Sequence, residues 1–193
     1  MQQTKKRTHI ATEDKHEILR SRAREEASAA LPMVMRNNKG QSIHVRGEVT
    51  LSGIDFKASI AAKQWASSPE RLPEIGIAWP ELATRYARTV PKRFELAIWH
   101  RDFFLCGLAL GKPTRNGNKL RLDFIEKSPT KNSLSGVITD ITIIAAEAHA
   151  DAIGASQIRI MNPINEKVRN YYLNSDRGFS YDKRENFCYK DLI

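Results

Sequence analysis

The stretch that decides the fold reads Leu120-Arg121-Leu122-Asp123-Phe124-Ile125, then Glu126-Lys127-Ser128-Pro129-Thr130-Lys131-Asn132-Ser133-Leu134-Ser135-Gly136, then an Ala- and Ile-rich segment from Val137 to about Ala152, then Gln157-Ile158-Arg159-Ile160-Met161. The first run alternates apolar and polar residues as a half-buried strand does. The Ala/Ile segment has the length of a helix, and the last run that of a short strand. Strand, polar loop, helix, strand is a βαβ unit, whose two strands lie parallel beneath a crossover helix. A loop opening onto a helix start offers unpaired backbone N–H groups to an anion, so a phosphate-bearing cofactor is expected there. The stretch closes on Asn165-Glu166-Lys167-Val168-Arg169-Asn170-Tyr171-Tyr172 and on Gly178-Phe179.

Upstream, Phe94-Glu95-Leu96-Ala97-Ile98-Trp99 and Phe103-Phe104-Leu105-Cys106-Gly107-Leu108-Ala109-Leu110 read as a hairpin turned by His100-Arg101-Asp102, and Asn116-Gly117-Asn118 turns the chain into Leu120. Two helices are expected before it, from Phe56 to Ala66 and from about Glu81 to Arg88, with Pro80 in the first turn of the second. Ile43, Val45, Gly47, Val49 and Leu51 alternate with polar residues as one strand, after the turn signal Asn37-Asn38-Lys39-Gly40. Pro73 and Pro80 flank an irregular segment. Downstream, Phe179-Ser180-Tyr181 and Asn186-Phe187-Cys188-Tyr189 form a final hairpin. Residues 1–11, with Lys5, Lys6 and Arg7, are expected to be disordered at the start. Thr12 is placed to cap a helix on which Leu19, Ala23, Ala27, Ala30 and Leu31 share a face, with Arg20, Arg22 and Arg24 largely off it. This helix reads as an arm docked on the domain, a dimer contact, or a basic surface for nucleic acid. Residues 1–36 are thus a basic arm and residues 37–193 one α/β domain.

The 193 residues suffice for a single buried core, and 41% hydrophobic with 27% charged residues is ordinary for a globular protein. No apolar run approaches a membrane span of about 18 residues, and the first residues lack the apolar stretch of a signal peptide, so a cytoplasmic protein with no membrane partner is expected. Cys106 and Cys188 sit in apolar strand-like runs and read as buried free thiols. The formal net charge of +9 favours acidic partners, with an ordinary basic surface as the alternative.

The element order, with this loop and the closing Asn…Tyr…Gly-Phe, resembles the GNAT acyltransferase superfamily, enzymes that move an acetyl group from acetyl-coenzyme A to an amine. The resemblance runs from about Ile43 to the C-terminus and leaves the first helix as an addition. It implies an α/β fold with a mixed, mostly antiparallel twisted sheet of about six or seven strands flanked by helices. Gly107 matches the apolar-Gly pair near the end of the second hairpin strand. Pro129, Lys131 and Gly136 match the spacing of the pyrophosphate loop; Asn165, Val168 and Tyr172 match the Asn-x-x-Ala-x-x-x-Tyr segment, and Gly178-Phe179 its end. Leu134 departs from the pattern, standing where the first loop glycine is expected, and Lys131 replaces Arg or Gln. A leucine suits a left-handed tight turn poorly, so the loop reads as degenerate.

The resemblance assigns the cofactor to Ile125, Lys127, Lys131, Asn132, Ser133, Leu134, Ser135, Gly136 and Asn165, and makes Tyr172 the acid that protonates the departing thiolate. Ser135 and Asn165 are also placed to cap the helices that follow them. An amine must lose a proton before attack; Glu126 first, then Asp123, are the candidate bases, with a salt bridge to Arg121 or Lys127 as the plainer role. His149 reads as a helix-surface residue, and no cluster suggests a metal. The expected activity is N-acetyl transfer from acetyl-coenzyme A to a primary amine, on a polyanionic carrier such as aminoacyl-tRNA or another nucleic acid. The rival is the same fold without the reaction, binding nucleic acid or protein through the Arg20/Arg22/Arg24 helix.

Overall fold

A computed structural model describes residues 2–37, 39–72, 75–174 and 177–192, with side chains from Thr12 onward. Asn38, Pro73 and the side chains of Lys5, Lys6 and Arg7 lie outside the described residues. The chain opens with helix α1 (Gln2–Ala30) and a small hairpin of β1 (Val34–Arg36) and β2 (Ser42–His44). Strand β3 (Val49–Ser52) is followed by α2 (Phe56–Lys63), a 3-10 turn (Gln64–Ser67) and α3 (Trp79–Thr89). Then come β4 (Phe94–His100), β5 (Phe104–Pro113), β6 (Leu120–Lys127), α4 (Ile138–Ala152), β7 (Gln157–Met161), α5 (Glu166–Leu173), β8 (Ser180–Asp182) and β9 (Phe187–Asp191). Seven strands form one sheet in the order β3-β4-β5-β6-β7-β9-β8, antiparallel except for the β6–β7 pair. The expected βαβ crossover is therefore present, with α4 as its helix.

The sheet has a core on each face. Helices α1, α4 and α5 cover the larger, where Leu120, Leu122, Ile141, Ile158 and Ile160 are buried. Helices α2 and α3 cover the other, around Trp65, Trp79, Tyr86, Trp99 and Leu108. Gly107 lets α4 approach: a Cβ there would lie 2.6 Å from the Ile138 side chain. Cys106 and Cys188 are buried free thiols, and burial pushes the Cys106 thiol up to about 12.

The N-terminal region departs from its sequence reading in three ways. Helix α1 begins at Gln2, so Thr12 lies inside it rather than capping it; Gln, Lys, Arg and Ala around it favour helix. The single strand expected from Ile43 to Leu51 is two, because Gly47 takes a left-handed φ of +82° and turns the chain between sheets. Arg20 is not a surface residue but 2% exposed. It donates to Glu17 at 2.8 Å, Glu13 at 2.5 Å and the Pro91 carbonyl at 2.6 Å. Arg93 joins this cluster through Glu95 and Glu13, each at 2.8 Å, and Arg24 through Glu17 at 2.6 Å. Ala23, Ala27 and Leu31 are buried in the same chain, so the apolar face of α1 is used on its own sheet and α4. Arg46 closes the end of α1 by donating to the Leu31 and Ala29 carbonyls at 2.8 and 3.1 Å.

The register explains where the site forms. On β5, Gly111 faces Leu122 and Leu110 faces Phe124, so Asp123 is left over as a bulge in β6. A Cβ on Gly111 would lie 2.1 Å from the Arg121 carbonyl oxygen. Gly111→Ala is expected to cost about 3 kcal/mol in urea unfolding, against about 1 kcal/mol for Gly117→Ala, which sits in open space at φ +75°.

His149, read as a surface residue, is 3% exposed and packs edge-on against Phe94 at 5.4 Å. Burial, then Arg20 and Arg24, hold its imidazole down at about 4. The unfolded chain takes up that proton near pH 6.5 and the folded chain only near 4. Stability is therefore complete above the first value and falls by about 3 kcal/mol across the window below it. His149→Phe is expected to flatten that part of a urea-midpoint-versus-pH curve; an unchanged slope would assign the loss to other groups.

Candidate active site

The bulge at Asp123 coincides with the end of β6–β7 pairing. The parallel register holds Leu120 to Ile158, Arg121 to Arg159 and Leu122 to Ile160, and stops there. From Asp123 to Lys127 strand β6 continues on β5 alone. Strand β7 ends at Met161, where Asn162 turns away at φ 47° with its N–H bonded to the Asn186 carbonyl at 2.9 Å. Two parallel strands thus part after Leu122, and β6 runs on alone beside β5 to the loop that leads to α4.

That loop is held by its own residues. The Asn132 side chain accepts the Leu134 N–H at 3.0 Å and donates to the Thr130 carbonyl at 3.0 Å. The Asn132 N–H donates to Ser135 Oγ at 3.1 Å, and the Ser135 N–H returns a bond to the Asn132 carbonyl at 3.1 Å. Ser135 is therefore a loop brace and not the helix cap; Val137 begins α4 with no side-chain cap. Among the described residues, the N–H groups of Gly136, Ile138, Thr139 and Asp140 have no acceptor, the condition for an anion site. Leu134 does not take a left-handed φ. It is fully buried in the larger core, so it anchors the loop instead of straining it. The glycine demand falls on Gly136, at φ +97°.

The β1–β2 hairpin lies over this point. A Cβ on Gly136 would lie 2.7 Å from Cβ of Asn37. Asn37 closes the hairpin turn, accepting the Lys39 and Gln41 N–H groups at 2.9 and 3.0 Å and donating to the Gln41 side chain at 2.9 Å. Arg36 and Lys39 beside it are exposed, as are Lys127, Lys131 and Ser133 across the loop. Asp140, in the first turn of α4, favours the positive helix end and is met by Arg177 at 2.8 Å and by the Tyr171 hydroxyl at 3.3 Å. Arg177 also stacks over the Tyr171 ring at 4.0 Å.

Tyr172 is buried on the larger core, between Tyr171 and Phe179, each with ring centroids 5.9 Å away. Its hydroxyl has no hydrogen-bond partner among the described residues, and burial pushes the phenol up strongly. Tyr171 turns instead to Asp140. Asn165 caps α5, its side chain accepting the Val168 N–H at 2.9 Å. Ile125 is half-buried against the larger core.

The two carboxylates face the other side of the sheet. Glu126 is 3% exposed and is gripped by Arg71 at 2.7 and 2.9 Å and by the Trp79 indole N–H at 2.6 Å. Arg71 further donates to the Ile77 carbonyl at 2.7 Å. A surface pair with Lys127 does not describe Glu126: it is buried, and its two oxygens are already taken by three donors from Arg71 and Trp79. Asp123 accepts the Tyr86 hydroxyl at 2.8 Å and Arg121 at 2.7 Å, the ion pair expected as its plainer role. Arg71, Tyr86, Trp79 and Arg177 were not singled out from the sequence; only Trp79, a large aromatic in an otherwise irregular segment, carried a signal.

This sheet order, with a parallel pair that parts ahead of the loop leading into a helix, is the GNAT fold. A GNAT-family acetyltransferase from Staphylococcus aureus superposes with a TM-score of 0.56 at 12% identity, over 75% of this chain and 99% of that one. A spermidine N-acetyltransferase chimera from Vibrio cholerae and hSSAT gives 0.55 at 13% identity, over 75% and 96%. The PaiA N-acetyltransferase from Thermoplasma acidophilum, in complex with coenzyme A, gives 0.50 at 15% identity, over 75% and 99%. No family model matches the sequence, and no curated protein does.

Because Glu126 is buried with its partners, Arg71→Ala is expected to destabilise the fold by about 3–5 kcal/mol, and Arg71→Met with Glu126→Leu by much less. Urea unfolding of the single and double variants measures both; equal losses would remove the uncompensated charge as the cause.

Proposed function

We propose that this chain binds acetyl-coenzyme A along the opening between β6 and β7 and transfers its acetyl group to a primary amine. The observation that carries the reading is the parting of the strands at Leu122 beside an uncapped helix start. Acetyl-coenzyme A supplies the activated acyl group. The N–H groups of Gly136 and of the first turn of α4, with Ser133 and Lys131, hold its pyrophosphate. Arg36, Lys39 and Lys127 add positive charge at the same end. The tip of the hairpin must first lift from Gly136, so the hairpin acts as a strap over the phosphate end.

Tyr172 keeps its proton at neutral pH because its buried setting disfavours the phenolate, and it donates that proton as charge develops on the departing sulfur. Neither Asp123 nor Glu126 serves as a dedicated base, since the oxygens of each already accept from neighbours, Arg121 and Tyr86 for the first, Arg71 and Trp79 for the second. Orientation of the amine in the opening, with loss of its proton to water, carries that half of the reaction.

A second reading is favoured by the Asn37–Gly136 contact: the fold kept as a binding module, its phosphate cradle covered. Calorimetry with coenzyme A separates the two. Measurable affinity supports the enzyme, and no heat at high micromolar ligand sinks it. Given binding, Tyr172→Phe should lower kcat at least about tenfold with coenzyme A affinity nearly unchanged. Unchanged turnover would take Tyr172 out of the acid role.

A further inference from the structure

At the other end of α4, a cavity of about 230 Å³ lies between this helix and α1, lined by His16, Leu19, Arg20, Lys92, Arg93 and His149 together with Ala152 and Ile153. The 15 residues of α4 separate it from the phosphate loop by about 20 Å. Nothing in the acetyl-transfer reading uses it.

Its polar groups are incompletely satisfied. Nε2 of His149 is buried and has no hydrogen-bond partner among the described residues. Nη1 of Arg93 is buried as well; it lies 2.8 Å from Glu13 but makes no hydrogen bond of good geometry. A buried nitrogen left without a partner is costly unless something supplies the missing bond. The charge around it is positive. Glu13, Glu17 and Glu95 are each engaged by Arg20, Arg24 or Arg93. Lys92 is exposed at the rim with no carboxylate partner among the described residues. Both histidines register this field: after burial, Lys92 and Arg20 depress His16, and Arg20 and Arg24 depress His149. Leu19, Ala152 and Ile153 give the remaining wall an apolar surface.

We propose that this cavity binds a small organic carboxylate, its oxygens taken by Lys92, Arg93 and the Nε2–H of His149 and its short hydrocarbon part lying against Leu19 and Ile153. An inorganic anion would satisfy the cations and waste the apolar wall; a neutral alcohol would do the reverse. The cavity holds several water-sized volumes, room for a body of a few carbons.

The test uses the full chain with butyrate as the probe, inorganic phosphate and 1-butanol as comparisons, and the His149 imidazole signals in NMR as the readout. Butyrate is expected to shift those signals saturably at millimolar concentration, phosphate and butanol far less. Lys92→Ala, at an exposed position, should weaken binding about tenfold. His149→Phe should melt no lower than the parent, because it removes an orphaned nitrogen, and should lose butyrate binding as seen by calorimetry. Equal shifts with phosphate, undiminished affinity in Lys92→Ala, or no saturable shift at tens of millimolar would each overturn the proposal. Coenzyme A affinity is independent of all three outcomes, so failure here leaves acetyl transfer standing, and the converse holds.

Discussion

The architecture turns on a contact between two backbones. Gly111 has no side chain, and the Arg121 carbonyl occupies the space where one would be. That closeness lets β6 accommodate Asp123 as an extra residue against β5. A bulge shifts the alternation of a strand by one and sharpens its twist. Before it, Leu120 and Leu122 point into the larger core; after it, Phe124 packs towards Tyr86 and Glu126 reaches Trp79. The same step ends the ladder to β7. One omitted methyl group thus sets which face the carboxylates occupy and where the sheet opens.

The second organising feature is electrostatic. Three arginines and three glutamates lie between α1 and the β4 end of the sheet, three of them, Arg20, Arg93 and Glu95, almost wholly shielded from water. Such pairs add little net stability, because desolvation offsets most of the attraction. Their effect is on docking: apolar residues as small as Ala23 and Ala27 would tolerate sliding, and a fixed set of ion pairs does not. Together with Arg46 at its end, they tie α1 to the start of β4.

Much of this was legible in the sequence, and the reasons are local. The run from Leu120 to Met161 carries its strand, loop and helix periods openly, and the crossover follows from them. Asn165 announced a cap, and the buried thiols followed from their apolar neighbours. What failed did so where partners come from far along the chain. Glu126 was read as a base or a surface charge because Arg71 and Trp79 are 55 and 47 residues away. Arg20 and His149 looked like surface residues because nothing on their own helices says that those helices face each other. Leu134 looked like strain in a glycine position, while the left-handed backbone stands two residues later. Asp123, bulged out of register, shows no sign of it in a sequence that simply alternates.

Helix α1 runs antiparallel to α4, with His16 and Leu19 by its last turn and the following hairpin over its first. The amino-terminal segment is consequently a rod spanning both ends of the domain. Removing it to obtain a tidier recombinant fragment would strip the cover from α4, leave Glu95 without Arg20 and Arg93 without Glu13, and unroof Gly136 in one cut. A shortened protein with the full GNAT sheet would therefore be a different object, sticky on one face and altered at the start of α4.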